Sequence, residues 1–94
     1  MSGPAERELV LLSAIAAGGS SQRGLSRRAG LSLGGTNALL RKLMRAGSVR
    51  AIAVNRRSAR YELTAQGRAG GRRLALAAAD RAMKIAHSLS QESR

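Results

Sequence analysis

Hydrophobic positions in the N-terminal half of the chain follow the period of an α-helix in two stretches. The first stretch predicts a structural helix over residues 5–17, whose apolar stripe consists of Leu9, Leu12, Ile15 and Ala16. The second stretch, residues 21–46, is interrupted at Gly30, because glycine readily adopts the left-handed conformation that ends a helix. Ser21 and Ser32 precede its two halves as N-caps. The pattern predicts three helices, the last two joined by a tight turn.

The final helix of this set, predicted over residues 32–46, separates apolar from basic positions. Its apolar side consists of Thr36, which is marginal, and of Leu39, Leu40, Leu43 and Met44. The opposite side consists of Gly34, Ala38, Arg41 and Arg45, with Asn37 and Lys42 at its borders. A helix that packs on one face, is basic on the other and follows a partner helix across a short turn is typical of a helix-turn-helix motif.

Residues 48–64 change to the period of a β-strand. β-branched residues favour a first strand, and residues 55–58 have the composition of a turn. On the return strand Tyr61 and Leu63 alternate with charged residues, so one face is apolar and the other charged. This segment is predicted to form a two-stranded wing whose tip exposes two arginines.

A C-terminal helix is predicted over residues 65–89, with Thr64 as its N-cap. Its opening is weak because three glycines interrupt it. Further along, an apolar stripe consists of Leu76, Ala79, Met83 and Ala86. These mostly small side chains suit a close helix–helix contact, either within the chain or between two copies. We expect a homodimer through this helix. Residues 1–94 are predicted to form one domain, mainly α with a small β-hairpin: a three-helix core, a two-stranded wing and a C-terminal helix.

The formal net charge of the 94 residues is +12 at pH 7, which indicates a polyanionic partner, duplex DNA ahead of RNA or an anionic membrane surface. Genome-driven enrichment of arginine is the alternative, but the arginines are clustered rather than evenly spread. The absence of cysteine excludes disulfides and thiol redox sensing. No apolar run is long enough to span a bilayer and no signal peptide is evident, so we expect no membrane partner and a cytoplasmic, nucleoid-associated protein.

Residue patterns typical of catalysis are missing from the sequence. The single histidine, His87, has no carboxylate three or four residues away on the predicted helix. No nucleophile–base set, metal-ligand cluster or phosphate-binding glycine loop is present. We therefore expect no enzyme activity, no cofactor and no metal site, and a small-molecule effector is not evident.

The order of these elements resembles the winged helix-turn-helix regulators of the MarR type, and among them the small MarR-like proteins described as exopolysaccharide-associated transcriptional regulators. The matching positions are Ser21-Gln22-Arg23, Leu25, Gly30, Ser32-Leu33-Gly34, Asn37, Leu40, Leu43, Gly47, Tyr61, Leu63, Thr64 and Gly67. The resemblance covers about residues 9–87. It departs at Gly24, Gly35 and Ala38, where such proteins have charged or bulkier side chains, so the front of the predicted recognition helix is nearly bare.

The motif and the resemblance together imply binding to double-stranded DNA. Residues 32–46 would be the recognition helix in the major groove, and the wing tip, residues 55–58, would lie on the minor groove or the backbone. Asn37 is the candidate for adenine recognition, and Arg41 for a guanine or phosphate contact. The complete set of DNA-binding candidates is Ser21, Gln22, Arg23, Ser32, Gly34, Asn37, Arg41, Lys42, Arg45, Arg56 and Arg57.

Structural roles compete with these assignments, because serines at helix starts are also caps and basic residues are also solvated surface. Three functions therefore stay open. A homodimeric, sequence-specific transcriptional regulator predicts a palindromic site. An architectural or accessory nucleic-acid-binding protein predicts little sequence preference and a steep salt dependence. A winged-helix protein–protein interaction module predicts no DNA binding.

Overall fold

The computed structural model describes residues 3–18 and 21–92, and the other residues of the predicted 1–94 domain lie outside the described part. The described elements are α1 (Pro4–Ala16), α2 (Gln22–Ala29), α3 (Leu33–Arg45), β1 (Val49–Ala53), β2 (Ala59–Leu63) and α4 (Ala65–Glu92). The predicted fold class, mainly α with a small β-hairpin, is confirmed. Helix α4 is continuous from Ala65 and passes the predicted end at residue 89.

Hydrogen-bonded caps explain where the helices begin and end. Ser21 and Ser32 each accept a hydrogen bond from the backbone N–H three residues on, at 3.2 and 3.0 Å. Thr64 does the same for α4 at 3.0 Å. Gly30 (φ 67°) ends α2 and Gly47 (φ 80°) follows α3, both in the left-handed conformation that glycine adopts without strain. The three predicted N-caps are therefore confirmed.

The core lies between the first three helices and the base of the hairpin. Leu11, Leu25 and Leu40 are fully buried, one from each helix. The whole buried apolar set is Leu11, Leu12, Ala14, Ile15, Leu25, Leu40, Leu43, Val49 and Leu63. On α1 the predicted stripe is partly wrong, since Leu11 and Ala14 are buried whereas Ala16 is exposed. Helix α1 contacts α2 as well as β2 and α4, so its buried sector is wider than one stripe.

The hairpin leaves the core as it extends. Its antiparallel register pairs Val49 with Leu63 at the buried base and Ala53 with Ala59 next to the turn. Ile52 pairs with Arg60 on the outer face and is 43% exposed. A two-stranded sheet is marginally stable alone, so the buried base is what anchors the wing.

Among the side chains that the structure describes, those in the first half of α4 pack on the core. Leu74 is half-buried against the core, whereas every side chain from residue 79 to residue 88 is exposed. Leu76 and Met83 are 71% and 73% exposed. The described chain is elongated, with extents of 61 × 26 × 20 Å, because the second half of α4 extends beyond the other elements.

Candidate nucleic-acid interface

The turn between α2 and α3 is held by two reciprocal hydrogen bonds. The Ser26 hydroxyl donates to the Leu31 carbonyl oxygen at 2.6 Å. In return, the Leu31 N–H donates to the Ser26 carbonyl oxygen at 3.1 Å. With Leu25 fully buried beneath this turn, α2 fixes the orientation of α3.

Helix α3 presents one face to the core and the opposite face to solvent. Thr36, Leu40 and Leu43 are buried, and the Thr36 hydroxyl donates to the Ser32 carbonyl oxygen at 2.9 Å, which satisfies it. Asn37 is half-buried at the edge of the exposed face. The exposed face itself consists of Leu33, Gly34, Gly35, Ala38, Arg41, Lys42 and Arg45. The candidates predicted for the solvent side of α3 therefore share that side.

The start of α2 faces the wing across an open cleft. Ser21, Gln22 and Arg23 line one side, and the wing tip, residues 55–58, lines the other. Leu33 at the start of α3 also contributes, and its carbonyl oxygen accepts a hydrogen bond from Gln22 Nε2 at 3.3 Å. The cleft thus brings together candidates that are separated by about 30 residues in the sequence.

The wing tip is a hydrogen-bonded turn. Asn55 Oδ1 accepts from the N–H groups of Arg57, at 2.8 Å, and Ser58, at 3.0 Å. The Val54 N–H donates to the Ser58 carbonyl oxygen at 3.0 Å. An asparagine that bonds the backbone two residues on is a common way to stabilise a turn. The exposed side chains of Arg56 and Arg57 therefore extend from a defined backbone.

Some basic residues of the chain form ion pairs with acidic side chains, and others do not. Lys42 Nζ lies 2.7 Å from Glu8 Oε1 on α1, and Arg50 pairs with Glu62 across the hairpin. Lys42 also lines a groove formed with α1, away from the wing. Five candidate arginines form no ion pair within the described part of the chain: Arg23, Arg41, Arg45, Arg56 and Arg57. Their charges are available to an external anion.

Among the described residues, no group of three or more histidine, cysteine, aspartate or glutamate side chains is placed to hold a metal ion. None of the described helices is long and apolar enough to cross a membrane.

Residues 6–50 match a family model described as winged helix-turn-helix DNA-binding. Comparison with curated proteins finds no match. Among solved structures, the PcaV transcriptional regulator from Streptomyces coelicolor is 26% identical with a TM-score of 0.73, over 79% of this chain and 57% of PcaV. The M. tuberculosis regulator MOSR, solved in complex with DNA, is 25% identical with a TM-score of 0.75, over 87% of this chain and 61% of MOSR.

A MarR family transcriptional regulator from Silicibacter pomeroyi has the same fold, with 24% identity and a TM-score of 0.70, over 90% of this chain and 67% of that one. The chain has the winged helix-turn-helix fold. It spans about three fifths of the length of PcaV and MOSR, at 57% and 61%. The finer resemblance to the exopolysaccharide-associated regulators is not tested by these comparisons and stays a prediction.

In this winged helix, the junction of α3, the wing and α4 is clamped by contacts that the sequence pattern did not predict. The Thr64 hydroxyl donates to the Gly47 carbonyl oxygen at 2.6 Å, and Gln66 Nε2 donates to the Ala46 carbonyl oxygen at 2.8 Å. Gly67 packs directly on Ser48. These partners are 17 to 20 residues apart, so only the fold brings them together. The clamp fixes the end of α3 relative to α4.

The role of Asn55 was also missed by the sequence analysis. The pattern identified residues 55–58 as a turn, but it did not identify Asn55 as the residue that orders the backbone of Arg57 and Ser58. Its position at the start of the turn is the signal that would have found it.

Proposed function

We propose that this protein is a homodimeric transcriptional regulator that binds double-stranded DNA, with α3 in the major groove and the wing tip on the minor groove or the backbone. The observation that supports this most strongly is the set of unpaired arginines on three neighbouring elements. Arg23 lies at the start of α2, Arg41 and Arg45 on the exposed face of α3, and Arg56 and Arg57 on the wing tip. The DNA complex of MOSR, which has the same fold, supports the same partner for this chain.

The proposed contacts divide into base and phosphate contacts. Asn37 and Arg41 would approach base edges, with Asn37 pairing with adenine and Arg41 with guanine or a phosphate. Arg45 and the α2 residues Ser21, Gln22 and Arg23 would bind phosphates and fix the register of the protein on the duplex. At the start of α3, Ser32 and Gly34 would present hydroxyl and backbone groups to a phosphate.

Lys42 is assigned to a phosphate at the edge of the interface. Its ammonium group pairs with Glu8, and the two side chains are 58% and 22% exposed. Because the Lys42 side chain is mostly exposed, its ammonium group can leave Glu8 for a DNA phosphate, at the cost of leaving the partly buried Glu8 carboxylate without its ion pair.

Dimerisation through α4 is the second part of the proposal. Leu76 and Met83 are 71% and 73% exposed, and they lie two helical turns apart on one face of α4 with Ala79 between them. Large apolar side chains at this exposure are stabilised by a partner surface. Two copies joined in this way would place two recognition helices on half-sites about one helical turn apart, roughly 34 Å.

An architectural or accessory DNA-binding role is the second candidate. The observation in its favour is the bare front of α3, where Gly34, Gly35 and Ala38 are exposed and offer no side-chain donor or acceptor. Neither role requires a catalytic reaction or a cofactor, and both would locate the protein at the nucleoid.

Fluorescence anisotropy with a labelled duplex tests the proposed interface. The duplex would be about 30 base pairs long, enough for two half-sites. The double variant Arg41→Ala/Arg45→Ala is expected to weaken binding at least about tenfold and to reduce the slope of log K against log salt by about 2. The matched control is Arg72→Ala/Arg73→Ala, which removes the same charge from exposed positions of α4.

The control is expected to bind within about twofold of the wild type at fixed salt. Equal losses in both double variants would mean that binding depends on total charge and not on α3. Failure of the wild type to bind any duplex at roughly 50 mM salt would contradict the proposed function itself.

A further inference from the structure

In the first two turns of α3, Asn37, half-buried at the edge of the exposed face, is the one candidate for reading a base, and the exposed positions beside it have no such side chain. Leu33, Gly34, Gly35 and Ala38 occupy these positions, and none has a side-chain hydrogen-bonding group. This surface is open, because a Cβ built on Gly34 would have no atom within 4 Å apart from its chain neighbours and its own helix backbone, and Leu33 is 46% exposed. In helix-turn-helix proteins these N-terminal residues of the recognition helix contact base edges. Few side chains of α3 can therefore form hydrogen bonds with base edges in the major groove.

The wing, in contrast to the front of α3, has several exposed side chains that can contact DNA. Arg56 and Arg57 are exposed, without ion pairs among the described residues, on a turn that Asn55 orders through two hydrogen bonds. Arg60 adds a third exposed guanidinium on the outer face of β2, opposite Ile52. Besides Arg50, which pairs with Glu62, three arginines without ion pairs among the described residues are thus concentrated on one small hairpin whose base is anchored in the core.

We infer that this protein selects its DNA mainly by minor-groove shape at the wing, and that its preferred sites have A·T-rich, narrow minor grooves where the wing binds. The inference rests on the proposed function, since it requires α3 and the wing to bind a duplex. A·T-rich tracts have narrow minor grooves with an enhanced negative potential, which attracts inserted arginines. Because α3 has few base-reading groups, the wing contributes the larger share of discrimination.

Arginine is better suited than lysine to this role. Its guanidinium is planar and more weakly hydrated than an ammonium group, so it loses less on entering a narrow groove. Replacing arginine by lysine keeps the charge, and with it the attraction to phosphates. Groove-shape preference and total electrostatic attraction can therefore be separated by this substitution.

Three duplexes of equal length distinguish the grooves: one with A·T tracts, one with G·C in their place, and one with inosine·cytosine in their place. Inosine lacks the guanine N2 amino group, so its minor groove resembles that of A·T while its major groove keeps the guanine acceptors. We expect the A·T and inosine duplexes to bind alike and both about tenfold more tightly than the G·C duplex.

Any other ranking of the three duplexes by affinity overturns the inference. If the inosine duplex binds like the G·C duplex, the major groove determines the preference. If all three duplexes bind equally, DNA binding stands but selection by groove shape does not. If no duplex binds at roughly 50 mM salt, the proposed function fails together with the inference.

Charge-conserving variants test the assignment to the wing. Arg56→Lys/Arg57→Lys is expected to reduce the A·T preference from about tenfold to about twofold, with affinity for the G·C duplex nearly unchanged. The control Arg41→Lys, on α3, is expected to keep the full preference. A wing variant that folds as the wild type does, by circular dichroism, and retains the full preference would overturn the inference.

Discussion

Gly67 is the residue at which α4 approaches the end of α3 most closely. It is buried, and a Cβ at this position would overlap the Ser48 carbonyl oxygen. Three residues further along the same helix, a Cβ at Gly70 would meet no atom within 4 Å apart from its chain neighbours and its own helix backbone. Two glycines that look equivalent as interruptions of a predicted helix therefore have opposite structural meanings.

Gly67→Ala is expected to lower the free energy of unfolding by at least about 2 kcal/mol, because the added methyl group forces the α3–β1 connection away from α4. Gly70→Ala is expected to raise it by up to about 1 kcal/mol, because alanine is the better helix former. Urea denaturation of both variants measures the two changes. A neutral Gly67→Ala would contradict the close approach of α4 to Ser48.

Ser32 combines a capping role with a proposed phosphate contact, and substitution separates the two. Ser32→Ala removes the acceptor for the Gly35 N–H and is expected to cost about 1 kcal/mol of stability. Ser32→Asp caps equally well and suits the helix dipole, but its charge repels a phosphate. We expect Ser32→Asp to keep the stability of the wild type while binding DNA at least about tenfold more weakly. Unchanged DNA affinity in this variant would leave Ser32 as a cap only.

Residue patterns predicted local features better than contacts between distant parts of the chain. The caps at Ser21, Ser32 and Thr64 followed from residue type and position, because a cap depends on a few neighbouring residues. Thr36 was only a marginal apolar position in the sequence pattern. It can be buried because its hydroxyl donates a hydrogen bond to the backbone of its own helix. The Lys42–Glu8 ion pair joins residues 34 positions apart and had no local signal.

At the scale of the element, the sequence predicts the buried and exposed faces of α3 but not the strand pairing of the wing. The periodicity of α3 distinguished its buried face from its exposed face, since one side of a helix packs on the core. The register of the hairpin, with Val49 opposite Leu63, could not be read from the sequence, because the turn admits more than one pairing. Ile52 points outward because it lies three residues from the buried Val49, and successive side chains of a strand alternate between the two faces.

Asn55 is expected to order the wing tip without contributing much to the stability of the core. Asn55→Ala should accelerate hydrogen exchange of the Arg57 and Ser58 amides about tenfold and weaken DNA binding severalfold, because the arginines lose their fixed backbone. Amide exchange measured by NMR, with urea denaturation as the check on the core, tests this. Asn55→Asp keeps the acceptor oxygen, so the two amides should stay protected. Equal exchange rates in Asn55→Ala and the wild type would contradict the role of Asn55.

At the scale of the whole molecule, α4 is longer than the core that it packs on. The sequence predicted its apolar stripe, but periodicity alone could not show whether this stripe packs within the chain or on a second copy. The structure places Leu74 against the core and leaves Leu76 and Met83 exposed. This division supports the proposed dimer, because the exposed part has no partner element among the described ones.

Leu76→Glu/Met83→Glu is expected to convert a dimer into a folded monomer, because four like charges would be brought together in the proposed α4 contact. Analytical ultracentrifugation at micromolar concentration measures the change, and circular dichroism checks the fold. The control Ile52→Glu alters an exposed apolar residue of the wing and should leave the dimer intact. A wild-type protein that is monomeric under these conditions would contradict dimerisation.

Selection from a random pool of duplexes at roughly 150 mM salt, followed by sequencing, tests the central claim most directly. The predicted result is enrichment of a two-fold symmetric motif with half-sites about one helical turn apart and A·T-rich positions where the wings bind. Recovery of bound duplexes without any enriched motif would contradict a sequence-selective dimeric regulator. That result would favour the architectural role instead.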